Sequence, residues 1–98
     1  MRVKMSSIHV LDPAAAFDFY TGTLGFEPLM VMPDYNLFIV QARDVSDGPG
    51  LLLEPSDHPL AEAYRSGLYG LGMPALVLGV PDVAAEMERL EALGGRFT

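Results

Sequence analysis

The residues best suited to chemistry are a histidine and a glutamate near the ends of two short apolar segments. His9 alternates with Met5 and Ser7, so the three side chains share one face of a predicted strand. Glu54 follows three consecutive leucines. A neutral imidazole could bind a ligand, act as a base or help to hold a metal ion alongside Glu54. The sequence therefore predicts Met5, Ser7, His9 and Glu54 as ligand-binding residues and assigns no residue a catalytic role.

Each of these candidates also has a structural interpretation. His9 could be a partly buried histidine that hydrogen-bonds a neighbour, and Glu54 could be the exposed end of a strand that turns at Pro55. His58 lies in a polar stretch just before a predicted helix, where a solvated capping residue is expected. Tyr20 is predicted to line the core or a pocket rather than to act as an acid.

The composition excludes several classes of partner. The 98 residues carry a formal net charge of −7, and phosphate backbones attract basic surfaces, so a nucleic-acid partner is not expected. The absence of cysteine excludes a disulfide framework, a thiolate zinc site and a Cys nucleophile. No apolar run has the length of a membrane span or a signal peptide. We therefore expect a cytoplasmic protein without a membrane partner.

The elements that position these residues follow a repeated pattern. Residues 8–15 and 78–85 each contain an apolar run, an aspartate two residues after a valine and the start of an Ala-led helical stretch. Both stretches reach a Leu-Gly pair, at Leu24-Gly25 and at Leu93-Gly94. Such a repeat predicts two similar modules that share one core and hold a small ligand between them.

Hydrophobic periodicity and turn residues predict the individual elements. Strands are predicted at residues 3–11, 26–32, 35–42, 50–54 and 75–80, and helices at about 12–24, 59–71 and 82–94, with a further strand beginning at 95–98. Because the strands after the first helix are linked by hairpins, an α/β doubly wound fold is excluded and an α+β fold is predicted. The predicted core includes Val10, Phe19, Leu24, Val80 and Leu90.

This order of elements is accompanied by the pattern Asp-x₆-Phe-Tyr-x₃-Leu-Gly-Phe over residues 12–26. Together they resemble the vicinal oxygen chelate superfamily, the group of glyoxalase I, bleomycin- and fosfomycin-resistance proteins and extradiol dioxygenases. The stretches LLLEP (51–55), GMPA (72–75), VPD (80–82) and ERLEALG (88–94) are similar to a bacterial glyoxalase/bleomycin-resistance-like branch. The resemblance implies paired βαβββ modules whose sheets curve into a half-open barrel around the site.

Mapped onto this sequence, the resemblance implies one domain over residues 1–98. Residues 1–55 would form a complete first module, residues 56–73 a connector helix, and residues 74–98 the start of an incomplete second module. The missing strands would be supplied by sequence not represented here or by a partner chain. We therefore expect a homodimer.

The resemblance also implies where a divalent metal ion would be held. The ligand positions on the two opening strands correspond to Met5 and Ala75, the closing strand of the first module offers Glu54, and the fourth position would follow Thr98. A thioether prefers soft metals and a methyl group binds none. We therefore expect no cofactor, with one divalent metal ion as the alternative.

Three functions follow from these observations. The first is a glyoxalase/bleomycin-resistance-like protein that binds a small molecule in a pocket without the family metal centre. The second is a metal-dependent lyase, isomerase or dioxygenase of the same superfamily, using His9 and Glu54 with residues outside this chain. The third is a degenerate or fragmentary module with a structural role. The sequence leaves open whether the protein is an enzyme.

Overall fold

The computed structural model describes residues 1–45 and 47–95, and these form a mixed α+β fold. The strands are β1 (Met5–Val10), β2 (Glu27–Met32), β3 (Leu37–Gln41) and β4 (Gly50–Pro55). The helices are α1 (Pro13–Gly22), α2 (Pro59–Gly70) and α3 (Val83–Ala92). The predicted α+β class and the βαβββ order of the first elements are confirmed.

The four strands form one sheet in the order β1-β4-β3-β2. β1 runs parallel to β4, because α1 and the two hairpin strands separate them in sequence, whereas β2, β3 and β4 are successive antiparallel neighbours. β1 is therefore an edge strand. Its register with β4 places His9 directly opposite Glu54, so these two side chains share a face of the sheet.

Helices α1 and α3 each begin at an aspartate whose side chain caps the first turn. The side chain of Asp12 accepts hydrogen bonds from the backbone N–H groups of Ala14 and Ala15 at the start of α1. Asp82 accepts one from Ala85 at the start of α3. Pro33–Tyr35 forms a single 3-10 turn that joins β2 to β3. The repeated aspartates therefore act as helix N-caps in both copies of the pattern.

The core lies between the sheet and α1. Four side chains on the inner strands are buried and form one cluster: Phe38, Val40, Leu51 and Leu53. Phe17 of α1 packs against Phe38 with its ring centroid 5.4 Å away, and Ile8 and Val10 of β1 join from the same face. The predicted orientation of β1, with Ile8 and Val10 toward the core, is confirmed.

The predicted list of core residues is partly wrong. Val10 packs against the cluster, and Leu24 and Leu90 are half-buried, but Phe19 is 49% exposed and Val80 is 39% exposed. Phe17 and Tyr20 are the aromatic residues of α1 that meet the sheet. Phe19 is two positions after Phe17, which rotates it to the other side of the helix.

The strand predicted at residues 75–80 is absent from the described part of the chain. A strand requires a hydrogen-bonding neighbour, and among the described residues none pairs with this segment. Val77 is accordingly 83% exposed. Of the strand predicted to begin at residues 95–98, all but Gly95 lies outside the described residues.

Candidate functional site

An open groove of about 450 Å³ separates β1 from α2. One side is formed by residues 7–11 of β1 and the turn after it. The other side is formed by α2 and the segment that follows it: Tyr64, Arg65, Leu68, Tyr69, Met73 and Ala75. We call this the β1–α2 groove. Its two sides belong to β1, an edge strand of the sheet, and to α2, which contacts β1.

Ser7 and His9 supply polar side chains to the β1 side of this groove. His9 Nδ1 lies 3.4 Å from the carbonyl oxygen of Pro55, and His9 Nε2 lies 3.6 Å from Glu54 Oε2. The His9 and Glu54 side chains are about one-third exposed. The structure thus brings together the histidine and the glutamate that the sequence singled out, through the parallel register of β1 and β4.

The predicted site residues do not all lie in the groove. Ser7 and His9 line it, whereas Glu54 reaches it only through His9. Met5 lies at the other end of β1, opposite Gly50, and lines no part of the groove. Ala75, which the resemblance placed at a metal-ligand position, forms part of the groove wall.

The α2 wall contains residues that sequence analysis did not connect with the site. Tyr64 and Leu68 are four residues apart on one side of α2, and this side lines the groove opposite β1. Arg65 donates hydrogen bonds to both carboxylate oxygens of Glu62, at 3.1 and 2.5 Å. This hydrogen bonding holds the pKa of Glu62 below its usual value and raises that of Arg65. The ion pair with Glu62 therefore holds the Arg65 side chain in place and offsets its positive charge at the groove wall.

A second open groove, of about 570 Å³, lies at the start of α2. It is lined by His9, His58, Leu60, Ala61 and Tyr64. We call it the α2-start groove. His58 is the N-cap of α2, where its Nδ1 accepts a hydrogen bond of 3.0 Å from the backbone N–H of Leu60. The predicted capping role of His58 is confirmed, although the residue also borders this groove.

The side chains present do not form a metal centre of the kind that the superfamily uses. In residues 1–45 and 47–95, no three His, Cys, Asp or Glu side chains are gathered so as to hold a metal ion. His9 and Glu54 are adjacent, but the positions that correspond to the opening-strand ligands hold Met5 and Ala75. Neither is a ligand for a hard divalent ion.

Comparison with known proteins identifies the family. The model of the Glyoxalase/Bleomycin resistance protein/Dioxygenase superfamily matches residues 3–98. The chain belongs to this superfamily. It is also 37% identical over 100 residues to protein YurT of Bacillus subtilis strain 168, a match that covers 100% of this chain and 79% of that protein. The resemblance found in the sequence is therefore confirmed.

Two solved structures resemble this superfamily member along nearly its whole length. TnmS3, an antibiotic-binding protein from Streptomyces sp. CB03234, is 26% identical with a TM-score of 0.70, over 96% of this chain and 71% of TnmS3. UcmS2 is 27% identical with a TM-score of 0.76, over 96% of this chain and 75% of UcmS2. Among the described residues of this chain, no helix has the length and apolar character needed to cross a membrane.

Proposed function

We propose that this superfamily member binds a small apolar or aromatic molecule in the β1–α2 groove, without a resident metal ion. The observation that carries the proposal is the composition of the groove. Aromatic and apolar side chains of α2 form one wall, and Ser7 and His9 supply polar groups from β1. A mostly apolar concavity with a few convergent polar groups is the usual form of a small-molecule site.

The relationship to TnmS3 supports this proposal. TnmS3 is an antibiotic-binding protein and shares both the fold and 26% of aligned residues with this chain.

Glu54 would act on the ligand through His9, whose ring it faces. Met5 continues the same face of β1 beyond Ser7, so only a ligand extending along the strand would reach it.

The proposal is tested by calorimetric titration with 2-naphthylmethanol, a neutral aromatic alcohol. We expect binding in the micromolar range and about a tenfold or greater loss of affinity in Ala75→Trp, because the larger side chain fills the groove. Ala63→Trp is the matched control, since Ala63 is exposed on α2 and lines neither groove. Equal affinities of the two variants, or no binding to the unmodified protein, would contradict the proposal.

A metal-dependent lyase, isomerase or dioxygenase is the second candidate, favoured by the adjacency of His9 and Glu54. Two side chains do not make a stable centre for a hard divalent ion, so this function would need further ligands from outside the described residues. Metal content therefore separates the two candidates.

We also propose that the protein acts as a homodimer. The outer edge of β1 and the apolar segment 75–80 both lack a strand partner in the described part of the chain. Unpaired edges and exposed apolar segments of this kind are normally covered. In a symmetric dimer, each chain would cover the other's unpaired surfaces.

A further inference from the structure

The β1–α2 groove and the α2-start groove meet at the same two side chains. His9 and Tyr64 line both, one from each wall. Beyond this junction, one groove continues toward Tyr69 and Met73, and the other continues toward Leu60 and the cap residue His58. The two grooves are therefore adjacent. We call them together the cleft, each groove an arm of it, and the position of His9 and Tyr64 its junction.

The two arms of the cleft are mainly apolar, whereas the junction carries polar atoms. The groups nearest to the His9 ring nitrogens are the Pro55 carbonyl, 3.4 Å from Nδ1, and the Glu54 carboxylate, 3.6 Å from Nε2. Both groups only accept hydrogen bonds. The neutral imidazole has a single N–H, so it cannot donate to both. A donor on the ligand would complete the arrangement beside Glu54.

From this geometry we infer the class of ligand, an inference that rests on the proposed binding function. The ligand is an elongated molecule with two apolar or aromatic parts joined by a short linker that donates a hydrogen bond, such as an amine. One part occupies each groove, and the linker lies beside His9 and Tyr64. The net charge of −7 adds a general attraction for a protonated amine.

Linking two weakly bound parts converts the second contact into an intramolecular one, so the linked molecule binds more tightly than either part. The matched probes are 2-naphthylmethylamine, which fills one arm, and bis(2-naphthylmethyl)amine, which fills both. For the unmodified protein, we expect calorimetry to give about a tenfold or greater advantage for the two-armed probe.

Ala61→Trp is the discriminating variant, because Ala61 lines only the α2-start groove. We expect it to leave the affinity for the one-armed probe unchanged and to reduce the advantage of the two-armed probe to about twofold, the statistical factor for two equivalent arms. Ala63→Trp, an exposed substitution on the same helix, should retain the full advantage. If Ala61→Trp fails to fold, Leu60→Ser replaces it, since Leu60 lines the same groove and is largely exposed.

Two results would overturn the inference while leaving the proposed function intact. The first is equal affinity of the unmodified protein for the two probes. The second is a two-armed advantage that survives in Ala61→Trp, or in Leu60→Ser where that variant replaces it. Failure of 2-naphthylmethanol and both amine probes to bind would instead reject the proposed function, and the inference with it.

Discussion

At the scale of single residues, His9 connects the parts of the candidate site. It faces Glu54 across the β1–β4 pair, approaches the Pro55 carbonyl and borders both grooves. This position follows from the alternation of β1, which directs Ile8 and Val10 to the core and the intervening residue to the opposite face. A single polar residue can therefore serve two grooves without disturbing the core.

The prediction at this scale concerns metal content. Protein purified without chelator should contain no stoichiometric divalent metal. His9 and Glu54 are adjacent, but the positions that correspond to the opening-strand ligands hold Met5 and Ala75, whose side chains offer no oxygen or nitrogen ligand. Elemental analysis is the measurement. About one zinc, nickel, iron or manganese ion per chain, lost in His9→Ala but retained in the control His58→Ala, would contradict it.

At the scale of elements, α1 and the inner strands β3 and β4 stabilise the fold. The buried cluster consists of Phe38, Val40, Leu51 and Leu53, and Phe17 of α1 covers Phe38. By contrast, α3 contacts the end of α1 through a polar interaction, a 3.0 Å hydrogen bond that Arg89 donates to the carbonyl oxygen of Thr23. Val83 and Met87 of α3 are exposed, and so is Leu93 just after the helix. Packing energy is therefore concentrated in the first five elements.

This distribution predicts unequal effects of two truncations. Leu53 is 0% exposed, so Leu53→Ala should reduce the free energy of unfolding by about 2–5 kcal/mol. Phe19→Ala should cost about 1 kcal/mol, because half of the side chain is already in solvent and its one aromatic contact among the described residues is with Tyr20. Urea denaturation measures both. Equal losses would show that Phe19 is more buried in solution than this structure describes.

At the scale of the whole molecule, several apolar surfaces remain uncovered. Val77 and Leu78 are exposed in the segment without a strand partner, and Met30 and Met32 are exposed on β2. The net charge of −7 adds repulsion between chains, but it does not cover the apolar groups. Association between chains is the simplest way to bury them.

The molecular prediction is a homodimer at micromolar concentration. Light scattering should give about twice the 10.6 kDa chain mass. Val77→Lys should shift the equilibrium toward monomer, because a charge on the unpaired segment opposes strand pairing. Val45→Lys, at an exposed valine in the β3–β4 connection, is the control and should leave the mass unchanged. A monomer of 10.6 kDa with a cooperative melt would contradict the prediction.

Local signals allowed much of the fold to be predicted from the sequence. Asp12 and Asp82 marked the helix starts, Pro33 and Asp34 the hairpin turn, and the pattern over residues 12–26 the superfamily. Helix caps and turns are set by interactions within a few residues, so sequence alone specifies them. The same alternation placed His9 and Ser7 on the face of β1 away from the core.

Only the tertiary structure decided which of these residues meet. The distance between His9 and Glu54 depends on the register of β1 with β4, and α1 with the β2–β3 hairpin separates those two strands in sequence. The second wall of the groove, formed by Tyr64 of α2 and by Met73 just after the helix, depends on where α2 packs against β1. The lack of a strand at residues 75–80 has the same origin, because a strand forms only where another strand supplies its hydrogen-bonding partners.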